Sequence, residues 1–309
     1  MTGASSFAQP KYFEGNLTYQ VSVKSLSEVL TDKDLHKIFA IGDRLNVAVK
    51  EGNYRQTSEY ADTYVIRKDK KEYFKFRKLD TLYFLDYSWD TSHITAILRS
   101  DSLFKVDNFD CKAITIKTAT ISRRYYYSNS LLLNPEYDKE NTIDHYNDYS
   151  REAGAVYLWA RHDLSFGYEI LNCVHVEQKP VDDHVFDLPA LPLKKLDPST
   201  ALVSPHFPGA AGAWLKYLQS NLNGDLAAKY IKIPKGQGEA SAQVMVQFLV
   251  AEDGTISHIQ VLNKKEVHPR LAEEAVRVIS ESPRWVPAKI FGEDISGSIK
   301  QPIVFKIKA

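Results

Sequence analysis

Methionine and cysteine are scarce in this chain, two of each in 309 residues, and an excess of either charge is absent: 39 Lys and Arg stand against 39 Asp and Glu. The zero balance excludes a general nucleic-acid binder, which needs clustered cations to neutralise phosphates. It equally excludes electrostatic docking on an anionic membrane. Cys111 and Cys173 form no Cys-x-x-Cys pair and lie in no zinc-ligand spacing, so they read as two small buried hydrophobes. In an oxidising compartment they could instead pair. No apolar run approaches the ~18–20 residues of a membrane-spanning helix. The opening MTGASSFAQPKYF lacks the basic and apolar regions of a signal peptide, but SSFAQ resembles the tail of one, with Ala8 at a cleavage-like position. The expectation is an exported protein, periplasmic or associated with the outer membrane, whose leader has been removed.

Catalytic constellations are missing as well. There is no nucleophile elbow and no His-Glu-x-x-His, and PKGQGEAS lacks the Lys-Ser/Thr that a phosphate loop requires. DDHVFD, with Asp182, Asp183 and His184, reads as a solvated charge cluster rather than a metal site. RHD, at 161–163, reads as a turn between strands. RRYYYS mixes bases and aromatics as a single-strand nucleic-acid platform would, but one such strand in a neutral protein reads as structural. The expectation is a non-enzyme with no catalytic residues, metal, cofactor or nucleic-acid partner.

What the chain has in quantity is Tyr (18) and Phe (14), residues that suit pleated, half-buried surfaces. Length and a 44% hydrophobic, 25% charged composition fit two globular domains. Residues 10–190 read as strand after strand at roughly 8–12-residue spacing, an antiparallel meander or half-barrel. FEGNLTYQVSV puts Phe13, Gly15, Leu17, Tyr19, Val21 and Val23 on one face. TDKDLHKIF is its one main helix, with Thr31 and Asp34 at capping-box spacing and an apolar face of Leu35, Ile38 and Phe39. LLLNPEYDKENTIDHYNDYSREAG reads as a long loop with at most a short helix. Residues 191–209 are Pro-rich and read as a semi-extended linker.

Residues 210–309 follow another plan: helix, hairpin, helix, strand. Trp214, Leu215, Leu218 and Leu222 have helical spacing. Val244, Val246, Phe248 and Val250 alternate before Asp253-Gly254, which reads as a primed hairpin turn. HPRLAEEAVRVIS is a helix with Pro269 in its first turn, a buried stripe of Leu271, Ala275, Val278 and Ile279, and a Glu273–Arg277 pair. Pro283 and Pro287 then hold Trp285 out of the helix so that it lies flat across the sheet. The final run places Ile299, Gln301, Ile303, Phe305 and Ile307 on one face and Lys300, Val304, Lys306 and Lys308 on the other. Pro302 within it marks an edge strand. The fold class is α+β, a β half-barrel followed by a small α/β module.

The residues from VMVQFLVAEDGTISHIQV to PIVFKI resemble the C-terminal domain of the TonB energy-transducer family. The shared features are the alternating strand, the Asp-Gly turn, the Glu-Ala-x-Arg-Val helix, the Pro-x-Trp-x-Pro exit, Gly292 and the closing Pro-Ile-x-Phe. The resemblance implies that Ile299, Gln301, Ile303, Val304, Phe305, Lys306 and Ile307 form an edge that binds an extended segment of an outer-membrane transporter by strand addition. Trp285, Pro283, Pro287 and Gly254 are then structural. The family's transducers have a membrane anchor and a long Pro-rich reach. Here the linker extends at most ~60 Å, and NGDLAAKYIKIPKGQGEAS is longer than the usual pattern and lacks its Tyr-Pro element. The expectation is a binding or assembly module; an energy transducer would carry its anchor upstream of Met1. An edge strand at a terminus also invites strand exchange between chains.

FEGNLTYQVSV, FDCKAITIK with RRYYYS, and VFDLP resemble the periplasmic lipoprotein carriers of the LolA type found in Bacteroidetes-like bacteria. That resemblance implies a curved sheet around a helix with a lipid in its concavity, and hence a lipid or lipoprotein carrier as the alternative function.

Overall fold

The computed structural model describes residues 12–308; the leader-like start with Ala8 lies outside the described residues. The chain divides into two compact units, one of residues 12–27 and 31–197, the other of residues 28–30 and 198–308. The fold class is α+β, with a large open sheet in the first unit and small sheets in the second. No helix among the described residues is long and apolar enough to cross a membrane.

The first unit begins with β1 (Gly15–Ser25), α1 (Asp32–Ile38), β2 (Arg44–Lys50), β3 (Asn53–Thr57), β4 (Ala61–Ile66), β5 (Lys71–Phe76) and β6 (Leu82–Asp86). It continues with β7 (Ala96–Val106), β8 (Phe109–Lys117), β9 (Ser122–Leu132), α2 (Tyr146–Ala153), β10 (Ala155–Leu164), β11 (Gly167–Gln178) and β12 (Leu193–Lys195). These strands make one 12-stranded sheet in the order β12-β6-β5-β4-β3-β2-β1-β11-β10-β9-β8-β7. It is two antiparallel meanders joined where β1 pairs with β11. The alternation read in β1 is the burial observed: Phe13, Gly15, Leu17, Tyr19 and Val21 are buried. At α1, Thr31 Oγ1 accepts from the Asp34 N–H at 3.1 Å while Asp34 Oδ2 accepts from the Thr31 N–H at 2.8 Å. This reciprocal cap fixes the helix start, and Leu35 is fully buried.

Three stretches differ from their sequence reading. The stretch read as a long loop with at most a short helix has that helix, α2, but it is interior: its Ile143 and Tyr149 belong to the main core with Leu17, Val47, Ile114 and Leu158. Its polarity masks this, because its buried polar groups partner locally: Ser150 Oγ donates to Asp138, and the Tyr149 hydroxyl to the Ala155 carbonyl. Residues 161–163 are not a turn but the middle of a β10–β11 pairing. The Pro-rich stretch is in part strand, since Leu193–Lys195 pairs in parallel with β6. Just before it, Val181 and Phe186 pack on Tyr64, Ile66, Tyr73 and Leu82. Cys111 and Cys173 are buried free thiols.

The second unit runs α3 (Pro198–Ala201), β13 (Leu202–Val203), α4 (Ala213–Asn221), α5 (Asp225–Tyr230), β14 (Glu239–Val250), β15 (Ile256–Val261), α6 (Pro269–Ser280), β16 (Ala288–Ile290), β17 (Glu293–Ile295) and β18 (Gly297–Lys308). Val244, Val246, Phe248, Ile303 and Phe305 pack beneath Leu271, Ala275, Val278 and Ile279 of α6. In α4 the packing face is Trp214, Tyr217 and Leu218, while Leu215 is exposed. The β14–β15 loop is not a primed two-residue turn. The Gly254 N–H returns to the Ala251 carbonyl at 2.9 Å, the Ala251 N–H reaches Thr255, and only Gly254 in this loop has positive φ (+81°). That is a type I turn with a left-handed glycine behind it. A Cβ on Gly254 would stand 2.3 Å from the Trp285 carbonyl oxygen, so glycine is required twice over.

Arg277 pairs with Glu274 and Glu281, not Glu273, whose partner is Arg270. Glu274 is buried and also accepts the Asn223 N–H, so it is the carboxylate in need of a cation. α6 ends at Ser280, and beyond Pro283 the chain is extended: Val286, ahead of Pro287, bridges His206. Trp285 is buried. Its ring meets Phe248 at 4.9 Å and 75°, with Phe207 and Trp214 beside it, and its Nε1 donates to Ser282 Oγ at 3.0 Å.

Candidate functional site

The backbone of β18 decides what its outer side offers. The strand is at the edge of the sheet β15-β14-β18 and pairs antiparallel with β14 without a register break, from Gly297↔Val250 to Lys308↔Glu239. Hydrogen-bonded and non-hydrogen-bonded pairs alternate along such a ladder. Met245 gives its N–H to Asn263 Oδ1 at 2.9 Å and accepts from the Leu262 N–H at 2.8 Å, so its polar groups point toward β15. Its cross-strand partner is Pro302. Residues of that parity therefore turn their backbone groups to the open side, and the donor that proline lacks is one that β14 does not need. Ser298, Lys300, Val304, Lys306 and Lys308 present N–H groups there.

The side chains divide the other way. Ile303 and Phe305 are buried, Ile299, Gln301 and Ile307 are half-buried, and Val304 and Lys306 are exposed. Lys306 is held by Glu239 at 2.8 Å. The seven residues named from sequence thus share one strand, but only Val304 and Lys306 among them face solvent and the open edge together. Ser298, Lys300 and Lys308, absent from that set, share the outward parity and complete the row of outward donors. The opposite edge, β15, is half as long and broken by a bulge where His258 takes φ 53°. A bulge of this kind blunts an edge against strand addition.

A second site lies in the first unit, where the sheet and the segment 133–157 enclose a cavity of ≈ 260 Å³. Leu17, Val47, Val65, Val156 and Leu171 supply apolar wall, and Tyr54, Tyr125, Tyr146 and Tyr157 supply aromatic faces. Glu72 of β5 enters at a position whose cross-strand partners, Val65 and Leu85, are buried. His162 of β10 lies opposite Glu169 of β11, with Nδ1 2.8 Å from Glu169 Oε1; its Nε2 is buried without a hydrogen-bond partner. Asp144 pairs with Arg123, and both Asp144 and His145 hold left-handed backbone, φ 54° and 59°. The reading of 161–163 as a turn hides His162, and no sequence motif singles out Glu72. The signal for Glu72 was its shared parity with Phe74 and Phe76. Asp182, Asp183 and His184 sit apart from the cavity; His184 pairs with Asp187 and Asp183 with Lys50.

Burial pushes the Glu72 carboxyl up to about 8, with the Asp144 charge adding to it. Burial likewise pushes Asp138 to about 7, against the lowering effect of its bonds from Ser150 and Tyr54. Both hold a proton in the fold that the unfolded chain releases near pH 4–4.5. Their stabilising contribution is therefore full at low pH and lost as pH rises through 7 and 8. His184, raised by its bond to Asp187, acts in the same direction. The carboxylates lowered by cations, such as Asp86 and Asp183, matter only below this window. The urea midpoint of the first unit should fall between pH 5 and pH 8, and Glu72→Gln should flatten that fall. A midpoint that climbs over this range would contradict the assignment.

Residues 237–307, which take in nearly all of β14 to β18, match the family described as the Gram-negative bacterial TonB protein C-terminal. No curated protein matches the chain. Among solved structures, PNGF-II is similar over 78% of this chain and 44% of its own, at 10% identity and a TM-score of 0.37. The chain thus spans less than half the length of that protein. The Mycobacterium tuberculosis lipoprotein LppX is similar over 55% of this chain and 89% of its own, at 11% identity and a TM-score of 0.28.

Proposed function

We propose that the module matching the TonB C-terminal family is a periplasmic docking unit of a TonB-type system, and that it captures an extended segment of an outer-membrane partner as an added strand on β18. The observation that carries this reading is the unbroken β18 edge, with outward donors at Ser298, Lys300, Val304, Lys306 and Lys308. Main-chain bonds along such an edge supply affinity, and alternate side chains supply selectivity. The family match supports the class of partner, since domains of this family interact with outer-membrane proteins. The role is binding rather than catalysis, because what the edge presents is backbone donors and acceptors. The missing donor at Pro302 divides the edge into two stretches, 298–300 and 304–308. The favoured segment is one whose own unpaired position, or proline, falls opposite residue 302. Titrating the full chain with extended peptides from the N-termini of outer-membrane transporters tests this reading. Saturable 1:1 binding supports it, and no binding at millimolar peptide removes it.

A further inference from the structure

We infer that the cavity of the first unit binds an apolar molecule carrying one protonated amine. The carboxyl of Glu72 projects from an inward register position between buried Val65 and Leu85 and meets no partner among the described residues. Glu72 is half-buried, so its carboxyl faces a largely apolar cavity without the counter-charge that would favour its ionised form. The other acidic groups on the wall are already engaged: Asp144 by Arg123, and Glu169 by His162 Nδ1. Glu169 thereby fixes the His162 ring and leaves Nε2 buried and unpartnered at the wall.

Charge selects the ligand class. Three carboxyl-bearing side chains line the cavity, and neither Lys nor Arg does. An anionic headgroup would find no Lys or Arg on the lining to pair with. An ammonium meets Glu72, and the tyrosine faces add cation–π attraction once water is excluded. The apolar wall then takes the remainder of the molecule, as in small-ligand sites generally. Burial raises the Glu72 carboxyl to about 8 and so favours its neutral form when the cavity is empty. An arriving ammonium favours the ionised form, so the pair forms with the ligand rather than before it.

The test is calorimetric titration of the full chain at pH 7 with three probes of equal length: octylamine, octanol and octanoate. Octylamine should bind 1:1, at least about tenfold tighter than either of the others, a margin equal to one charge-assisted hydrogen bond. Glu72→Gln, nearly isosteric, should lower octylamine affinity by a similar factor and leave octanol unchanged. Val65→Phe, which fills the cavity, should remove binding of all three. Octanol or octanoate binding as tightly as octylamine, octylamine affinity that survives Glu72→Gln, or no binding of octylamine would each overturn the inference.

Discussion

Trp285→Ala should cost the second unit about 3–5 kcal/mol, the range for truncating a buried large aromatic. The size of the effect follows from how many elements meet at this one ring. Phe248 of β14 lies under it at 4.9 Å, and Trp214 of α4 and Phe207 flank it at 5.5 Å. Nε1 is satisfied by Ser282 on the helix exit, so the ring is buried without stranding its donor. Its backbone is equally committed: the Trp285 N–H donates to Gly254 at 3.0 Å, tying the helix exit to the β14–β15 loop. Removing the indole leaves a cavity bounded by a helix, a strand and a loop that cannot collapse together. Against a typical total of about 5–15 kcal/mol, most of the unit's margin disappears. Urea unfolding followed by circular dichroism should show the second unit's transition moving to much lower urea. A change under about 1 kcal/mol, the size of a surface effect, would mean the ring is not the keystone described.

Val304→Pro should lower affinity for an extended partner at least tenfold while the unit stays folded. Residue 304 has the parity of Pro302, so its N–H points away from β14, and the ladder to β14 runs through Ile303 and Phe305. Proline there removes an outward donor and places a ring where the incoming strand must lie. One lost main-chain bond in a desolvated ladder is worth about 1–3 kcal/mol, and 1.4 kcal/mol is tenfold. Lys306→Glu makes the contrast. It reverses an exposed charge, at most about 1 kcal/mol, and leaves the backbone donor in place. Equal effects from the two substitutions, or none from Val304→Pro, would argue for recognition by side chains rather than backbone. The proline variant's unfolding transition, measured alongside, separates lost binding from lost fold.

How much of this was legible in the chain depends on whether the deciding physics was local. Thr31 and Asp34 cap α1 as their spacing indicates, because a capping box involves four consecutive residues. The parity of β1 and β18 reads directly from alternation, because each packs one face on a core. The β14–β15 loop is where local rules compete. Asp-Gly fits a primed turn, but here the Trp285 carbonyl lies where a Cβ on Gly254 would stand, and the loop is a type I turn closed by a left-handed glycine. Such distant neighbours leave no local trace. Arg277 turns to Glu274 rather than Glu273 because Glu274 is the buried one, and burial depends on tertiary packing. The cavity was least visible. Glu72, Asp144, His162 and Glu169 come from three separate stretches, and only the register of β10 with β11 and the packing of the segment before α2 bring them together. The segment around Asp138 and Tyr149 is polar by composition and interior by position, so hydropathy alone places it outside.

The most direct test of strand docking is per-residue amide hydrogen exchange on the full chain, with and without a saturating extended peptide. Without peptide, Ile299, Gln301, Ile303, Phe305 and Ile307 should exchange slowly, because they bond to β14, while Lys300, Val304 and Lys306 exchange fast. With peptide, the fast set should slow, and β15 should not change. Protection that appears along β15, or that leaves Lys300, Val304 and Lys306 fast under saturating peptide, would contradict docking on the β18 edge.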